Sequence, residues 1–365
     1  MLEDAIPLGD LRRALVVKLR HHGDVLLTSP VFQVLKNHAP RLEIDALVYA
    51  DTAPMLALHP AIAEIHVIDR AWRQAGGLVQ MAAEWRLYRR LRARQYDLLV
   101  HLTEHPRGAW LARALGVRHA VAPRTNRKGA FWRRSFTHLY AEPIHVWRHR
   151  VERNLDALRR IGVYPRPDER ALILVPGEEA TVRVEALLAQ HGLRQGQFIH
   201  FHPASRWLFK CLPVKANAEL IDQLHEAGHA IVVTAARDPR ELKFIDEILA
   251  RSRAAAVNLA GQLSLKEVAA LTKAARLFVG VDSAPMHMAA ALGTPAVALF
   301  GPSGDREWGP WRIQHRIVAS TGHPCRPCGL DGCGGGKVSD CLVTLSAEQI
   351  ARAATDLMAL TDIRT

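Results

Sequence analysis

The feature that most constrains the fold is an alternation of short apolar runs with amphipathic segments in the first half of the chain. Buried strands are predicted at 14–19, 43–49, 64–69 and 96–102, and helices at 29–38, 78–94 and 108–115. Strands joined through helices run parallel in one sheet. The pattern therefore predicts an α/β domain with a parallel sheet covered by helices on both faces.

The same alternation restarts after a stretch rich in proline and charge at 163–180. Strands are predicted at 198–203, 230–236, 276–282 and 295–300, and helices at 214–228, 239–252, 264–275, 284–293 and 346–360. We therefore expect an N-terminal domain at 1–180, a second domain at 181–345 and a C-terminal helix at 346–365 that packs back toward the first domain. Two such α/β domains predict a cleft between their sheets, with ligands at the carboxyl ends of the strands.

The positive charge is concentrated in the first half of the chain. Of the net +12, residues 1–160 contribute 26 basic and 15 acidic side chains, whereas residues 161–365 contribute 22 and 21. This asymmetry favours an anionic partner for the first half, either nucleic acid, an acidic membrane surface or a phosphorylated substrate. An arginine-rich surface that serves solubility alone is the alternative.

Targeting and membrane signals are not visible in the sequence. No run approaches the roughly 18 uncharged apolar residues of a membrane-spanning helix, and the first 20 residues are too charged for a signal peptide. We therefore expect a cytoplasmic protein.

The segment "LFVGVDSAPMHMAAALGTPAVALFGP" (277–302) is the most informative for chemistry. A predicted strand ends at Asp282, Ser283 is placed to cap the next helix, and His287 falls in the first turn of that helix. Free backbone N–H groups at a helix start, together with the helix dipole, form an anion site. The pattern indicates a diphosphate site, although an ordinary capped helix after a strand would share much of it.

A second notable stretch, "VKLRHHGDVLLTSPV" (17–31), joins the first strand to the first long helix, which Ser29 is expected to cap. His21 and His22 alone make a poor metal site, because adjacent side chains seldom converge. They are better suited to donate hydrogen bonds to a ligand in the cleft, and a simple turn is the alternative. His101 and Glu104, at the end of another strand, are candidates to line the same cleft.

A basic stretch, "PRTNRKGAFWRRSF" (123–136), combines aromatic residues with five cations, Arg124, Arg127, Lys128, Arg133 and Arg134. Such a combination suits a phosphorylated ligand at an anionic membrane surface. It would also suit RNA, whose bases stack on aromatic rings, and a solvated loop is the third possibility.

Four of the five cysteines lie close together, at Cys325, Cys328, Cys333 and Cys341. This spacing in a cytoplasmic chain suggests a structural zinc site. A redox-labile or disulfide-bonded pair and reduced structural thiols are the alternatives, and the isolated Cys211 is expected to be buried.

The motifs together resemble glycosyltransferase family 9, the lipopolysaccharide heptosyltransferases. "DSAPMHMAAALGTP" (282–295) resembles the family's nucleotide-diphosphate motif, and "HPASRWLFKCLP" (202–213) resembles its donor loop. "GPSGDREWGPW" (301–311) is also similar, and "KLRHHGDVLLTSPV" (18–31) is most similar to the branch called heptosyltransferase III. The resemblance extends over most of the chain.

This resemblance implies a GT-B fold, in which two Rossmann-like domains face a central cleft. The implied reaction is transfer of a heptosyl group from ADP-heptose to the heptose region of the lipopolysaccharide inner core, with inversion and without a catalytic metal. Asp24 is then the general base, and Gly23 gives the sugar room. The implied donor-binding residues are Ser205, Lys210, Asp282, Ser283, Ala284 and His287, and Asp238 or Glu241 would contact the nucleoside.

The acceptor implied by the resemblance carries phosphates, which suits the basic first half. His21, His22 and the five cations of the basic stretch are then acceptor-binding residues, and the protein would act at the cytoplasmic surface of the inner membrane. A GT-B enzyme with another nucleotide sugar or acceptor is the enzymatic alternative. A nucleic-acid binder would leave both Rossmann-like domains without a role, so nucleic acid is not expected as a partner.

Overall fold

The computed structural model describes residues 2–125, 127–142 and 147–362, which divide into two compact units, Met1–Leu174 and Val175–Thr365. The predicted boundary after residue 180 falls within a helix of the second unit, Glu178–Gln190. This helix begins within the stretch rich in proline and charge at 163–180.

The first unit is built on a parallel six-stranded sheet with the strand order β3-β2-β1-β4-β5-β6. Its strands are β1 (Arg13–Val17), β2 (Glu43–Tyr49), β3 (Glu64–Ile68), β4 (Leu98–His101), β5 (His119–Pro123) and β6 (His138–Tyr140). Its helices are α1 (His22–Leu26), α2 (Ser29–His38), α3 (Gly77–Ala93), α4 (Arg107–Leu115), α5 (Ala130–Ser135) and α6 (Arg150–Arg159). Short 3-10 helices lie at Leu8–Asp10, Ala50–Met55, Arg70–Arg73 and Pro167–Arg170.

The second unit repeats this plan with the strand order β12-β11-β10-β7-β8-β9, again parallel. Its strands are β7 (Phe198–His202), β8 (Ala230–Val233), β9 (Val257–Asn258), β10 (Leu277–Val281), β11 (Ala296–Phe300) and β12 (His315–Ala319). Its helices are α7 (Glu178–Gln190), α8 (Val214–Glu226), α9 (Pro239–Arg251), α10 (Leu265–Ala274), α11 (Ala284–Leu292), α12 (Asp305–Trp308), α13 (Asp340–Val343) and α14 (Ala347–Asp362). Short 3-10 helices lie at Leu208–Lys210 and Cys333–Gly335.

The central strands are mostly apolar and are buried on both faces, although β7 also contains two buried histidines, His200 and His202. All the residues of β7, β10 and β11 are buried, as parallel strands covered by helices require. The predicted α/β fold class, with two Rossmann-like domains, is confirmed.

The last helix, α14, belongs to the core of the second unit. Its residues Ile350, Ala354, Leu357 and Met358 are buried in one hydrophobic cluster with residues of β7, β10 and β11. Packing of this helix toward the first domain stays a prediction.

Candidate active site

Each sheet contains a point where the strand order reverses direction, between β1 and β4 in the first unit and between β7 and β10 in the second. At such a point the loops leaving two neighbouring strands diverge to opposite faces and leave a crevice for ligands. Many of the sequence-predicted site residues lie after these strands, whereas the basic stretch follows β5. The residues from His21 to Asp24 follow β1, and those from Ser205 to Lys210 follow β7, with Asp282 directly after β10.

Lys210 and Asp282 meet in the second unit. The Lys210 Nζ atom donates a hydrogen bond to Asp282 Oδ2 at 2.6 Å, and both side chains are largely shielded from solvent. The same Nζ atom lies 5.2 Å from the centre of the Trp207 ring. An ammonium group has three N–H donors, so two remain for a ligand beside this carboxylate.

The start of α11 lies directly beyond Asp282. Ser283 is the N-cap residue, as predicted, but its side chain makes no capping hydrogen bond. Its hydroxyl oxygen is buried and has no hydrogen-bond partner among the described residues. The His287 side chain is buried near the Trp308 ring, at 6.4 Å between ring centroids. The first N–H groups of the helix are therefore not occupied by the cap side chain, as an anion site requires.

The donor loop after β7 carries two more residues of interest. Ser205 is buried, and its hydroxyl accepts a hydrogen bond from the Trp207 N–H at 3.4 Å. Cys211 is buried, as predicted, and burial raises the pKa of its thiol to about 12. Cys211 is therefore a protonated, packed side chain and not a nucleophile.

The two acidic candidates for the nucleoside lie after β8 and differ in surroundings. Asp238 caps α9 and pairs with Arg240 at 3.0 Å. Glu241 is buried and accepts a hydrogen bond from the Ala236 N–H at 3.0 Å, and burial raises its pKa. Neither residue is assigned to the nucleoside by these contacts.

In the first unit, the stretch from His22 to Leu26 forms the short helix α1, with His21 as its N-cap. Asp24 lies in the first turn of α1 and is half-buried, as are His21, His22 and Gly23. The His22 Nε2 atom lies 3.0 Å from the backbone oxygen of Asp51. The expectation that Ser29 caps the following helix is wrong, because Thr28 is the N-cap and Ser29 is the first helical residue.

Lys18, directly after β1, lies near Asp24 and was not selected as a candidate from the sequence. It is 94% buried, and its Nζ atom donates hydrogen bonds to Leu102 O at 3.1 Å and to Asn154 Oδ1 at 3.0 Å. Burial lowers its pKa to about 8, although the nearby charge of Asp24 acts in the opposite direction. The available signal was a lysine within the strand predicted as buried at 14–19, because lysine is seldom buried without a partner.

Positive charge gathers near the carboxyl end of β4. Burial lowers the pKa of His105, and the positive charges of Arg107, Arg20, Lys128 and Arg73 lower it further. Of these cations, the sequence had selected Lys128 alone. The structure thus brings one residue of the basic stretch together with three arginines from other segments.

The other cations of the basic stretch are exposed. Arg124 and Arg127 lie in the loop after β5, and Arg133 and Arg134 lie in the last turn of α5. Asn126 of this stretch lies outside the described residues.

His101 does not line a ligand site, contrary to expectation. It is fully buried, its Nε2 atom lies 2.9 Å from the His105 backbone oxygen, and burial lowers its pKa to about 3. Gly108 makes room for it, because a Cβ atom there would lie 2.2 Å from the His101 ring. His101 is therefore a neutral core residue.

The clustered cysteines lie in the segment between β12 and α14. All are free thiols, with Cys341 buried and Cys325, Cys328 and Cys333 exposed. The Cys333 sulfur accepts a hydrogen bond from the Asp340 N–H at 3.4 Å. A structural zinc ion at these residues stays a prediction.

A different group, Asp45, Glu64 and His66, has metal-ligand atoms within 4.8 Å of one another. The Asp45 carboxylate is already occupied, since it accepts hydrogen bonds from Arg94 at 2.7 and 3.1 Å and from the Tyr96 hydroxyl at 2.6 Å. Burial alone would raise the pKa of Asp45, but hydrogen bonds from His66, Arg94 and Tyr96 lower it to about 2. The adjacent Arg94 guanidinium disfavours the binding of a metal cation. We therefore interpret Asp45, Glu64 and His66 as part of an ion-pair network.

No helix in the described part of the chain has the length and apolar character needed to cross a membrane. The two Rossmann-like units, with polar side chains gathered at their strand-order reversals, define a two-domain α/β protein of the kind that binds nucleotides at those points.

Comparison with known proteins identifies the family. The model of glycosyltransferase family 9 (heptosyltransferase) matches residues 84–338. The chain is 37% identical over 295 residues to lipopolysaccharide heptosyltransferase 3 of Escherichia coli, covering 80% of this chain and 84% of that protein. The chain belongs to glycosyltransferase family 9, and the predicted resemblance to the third heptosyltransferase branch is confirmed.

Two solved structures share the fold. A family 9 glycosyltransferase from Veillonella parvula aligns with a TM-score of 0.83 at 23% identity, covering 98% of this chain and 99% of that one. E. coli heptosyltransferase WaaC with ADP aligns with a TM-score of 0.71 at 20% identity, covering 94% and 99%. The prediction of a glycosyltransferase of GT-B type is confirmed.

Proposed function

We propose that this enzyme transfers a heptosyl group from ADP-L-glycero-D-manno-heptose to the heptose region of the lipopolysaccharide inner core. The similarity to lipopolysaccharide heptosyltransferase 3 supports the acceptor class, and the fold shared with a WaaC structure that contains ADP supports the nucleotide. The alternative is a GT-B enzyme of cell-envelope glycan synthesis that uses another nucleotide sugar or acceptor.

The observation that carries the donor assignment is the Lys210–Asp282 pair beside the start of α11. In the proposal, Lys210 donates to the diphosphate while Asp282 fixes the position of its ammonium group. The backbone N–H groups of Ser283 and Ala284, the Ser205 and Ser283 hydroxyls and the His287 imidazole add further donors. Together they offset the charge that develops on the leaving ADP, so the proposed transfer needs no catalytic metal.

Asp24 is the proposed general base. The acceptor hydroxyl oxygen forms a bond to the anomeric carbon while the bond from that carbon to the ADP oxygen breaks. The hydroxyl proton passes to the Asp24 carboxylate, and ADP leaves with the bonding electron pair. Attack opposite the leaving group inverts the anomeric carbon. Lys18 is a positioning residue, because its charge lies near Asp24 without a hydrogen bond between them among those described.

The acceptor is assigned to the first unit. His21, His22 and Gly23 would contact sugar hydroxyls beside Asp24. The five cations of the basic stretch, Arg124, Arg127, Lys128, Arg133 and Arg134, would bind acceptor phosphates, joined near His105 by Arg20, Arg73 and Arg107. Because this acceptor is anchored in lipid, we further propose that the enzyme works peripherally at the cytoplasmic surface of the inner membrane.

The test is a transfer assay with defined truncated lipopolysaccharide cores. Mass spectrometry should show the addition of one heptose and the release of one ADP in the presence of a chelator, and NMR should show inversion. Transfer from another nucleotide sugar, with none from ADP-heptose, would establish the alternative. Loss of transfer with the chelator would overturn metal independence.

A further inference from the structure

Helix α3 carries an apolar stripe that faces solvent. Leu78, Met81 and Trp85 are 79%, 63% and 60% exposed, and their spacing of three and four residues places them on one side of the helix. A separate set, Ala83, Leu87 and Leu91, is buried against the unit. The helix therefore has two apolar stripes on opposite sides, and the core accounts for one of them.

The exposed stripe continues onto the neighbouring helix α4. The Tyr88 hydroxyl donates a hydrogen bond to Ala114 O at 3.2 Å, and Arg107 forms a two-bond ion pair with Glu84. A groove between the helices is lined by Leu78, Met81, Trp85, Tyr88 and Ala114. Trp110 of α4 is also exposed and packs on Phe131, at 4.7 Å between ring centroids. These aromatic and aliphatic side chains form one surface, named here the α3–α4 face.

The net charge of this face is positive. Helices α3 and α4 together contain six arginines and one acidic residue, Glu84, which is paired with Arg107. Arg89 lies one turn beyond Trp85 on the same side of α3, and Arg86 and Arg89 are both exposed. Exposed apolar side chains next to arginines are the composition of helices that lie at a membrane interface, where tryptophan and tyrosine are enriched.

We propose that the α3–α4 face docks on the surface of an anionic lipid bilayer, with Leu78, Met81 and Trp85 entering the headgroup region. The arginines would contact lipid phosphates while their aliphatic stems cover apolar surface. The suggestion that this docking gives access to a lipid-anchored acceptor rests on the proposed function. The docking itself is independent of that function, because vesicle binding is measured without substrates.

The experiment is co-sedimentation of the full chain with vesicles of phosphatidylglycerol and phosphatidylcholine, and with vesicles of phosphatidylcholine alone. We expect binding to the anionic vesicles that weakens with added salt. Leu78→Ser/Met81→Ser and, separately, Arg86→Gln/Arg89→Gln should each lower this binding by at least about tenfold. The matched control is Leu330→Ser/Val338→Ser, a pair that is 54% exposed at both positions in the second unit and should bind as the parent does.

Absent binding by the parent protein, or equal losses in the Leu78/Met81 and Leu330/Val338 variants, would overturn the proposal. The other possible partner of the α3–α4 face is a second copy of the chain, and light scattering tests for it by measuring the oligomeric state. If Leu78→Ser/Met81→Ser converts a dimer to a monomer and leaves vesicle binding unchanged, the face is a self-association surface and the proposal is wrong.

Transfer to a delipidated core oligosaccharide separates docking from catalysis. The Leu78→Ser/Met81→Ser variant should retain the parent's turnover on this acceptor and lose it on vesicle-embedded lipopolysaccharide. If the proposed function fails and the parent transfers to neither acceptor, the vesicle-binding comparison still decides the docking proposal.

Discussion

Lys210 and Asp282 are 72 positions apart in the sequence, and their side chains meet at 2.6 Å. Each residue follows one of the two strands that flank the strand-order reversal of the second sheet, β7 and β10. The pair places a positive charge beside the start of a helix whose N-cap side chain, Ser283, accepts no hydrogen bond from the first N–H groups. This juxtaposition is what the proposed diphosphate site depends on.

Replacing Lys210 with methionine should lower the affinity for ADP by about 10- to 100-fold, because one charge-assisted hydrogen bond to phosphate is lost. Isothermal calorimetry with ADP measures this change. Lys215→Met removes the same charge from an exposed position on α8 and should leave the affinity within about twofold. Equal losses in both variants would show that Lys210 acts through overall charge alone.

Replacing His287 with alanine should also weaken ADP binding, by roughly tenfold, since an imidazole donor near the diphosphate is removed. His225→Ala makes the same substitution at an exposed position of the second unit and serves as the control. Unchanged affinity in a folded His287 variant would contradict the diphosphate role.

Replacing Asp24 with asparagine should lower turnover by at least about 100-fold while ADP-heptose still binds, because the amide cannot accept the hydroxyl proton. Steady-state kinetics and calorimetry on the same preparation separate the two effects. Asp10→Asn is the control, since Asp10 is exposed in the same unit. Near-parental turnover in Asp24→Asn would remove this residue from the role of base.

Replacing Arg133 and Arg134 with glutamine should raise the KM for a phosphorylated acceptor by roughly 3- to 10-fold, and that for its dephosphorylated form by less. Both arginines are exposed at the end of α5, where a phosphate can approach them. Comparison of the two acceptors in one assay provides the control. Equal changes in both KM values would show that these arginines do not recognise phosphate.

Three buried histidines should make the fold sensitive to acid. Burial lowers the pKa of His59 and His202 to about 4 and that of His101 to about 3. In the unfolded chain they take up a proton below about pH 6.5, whereas the folded chain resists it. The free energy of unfolding should therefore fall as the pH drops from 6.5 to 4, by about 3 kcal/mol for each such group.

Urea unfolding at several pH values measures this slope. In His59→Gln the slope between pH 6.5 and 4 should be shallower, whatever the change in stability at pH 7. His191→Gln, at an exposed position, should keep the parental slope. A parental slope in both variants would contradict the assignment of His59 as a buried neutral group.

Much of the fold could be predicted from the sequence. Strand β2 and helix α2 lie where the apolar pattern placed them, and other central strands agree within a few residues. The outer strands β5, β6, β9 and β12 were missed, because they are short or contain polar residues and so lack a continuous apolar run. Helix α7 was missed because its segment begins in a stretch rich in proline and charge.

The candidate site likewise contains some residues that could be predicted from the sequence and others that could not. Asp282, Ser283 and His287 could be selected together because one helix start brings them close in the sequence as well as in space. By contrast, the hydrogen bonds of buried Lys18 go to Leu102, directly after β4, and to Asn154 of α6, which are both far from it in the sequence. Likewise, His101 can lie in the core because Gly108, seven residues further along the chain, has no side chain to occupy that space.

The sequence by itself determined most of the central strands, the family and the charge asymmetry, because these follow from local periodicity, short motifs and composition. Only the tertiary structure decided which distant side chains meet. Contacts such as Lys210–Asp282 are set by strand order and by the path of each loop after its strand, and neither is a property of a local stretch of residues. The same holds for the exposed stripe of α3, since periodicity shows that a helix has two apolar sides but not which of them the core covers.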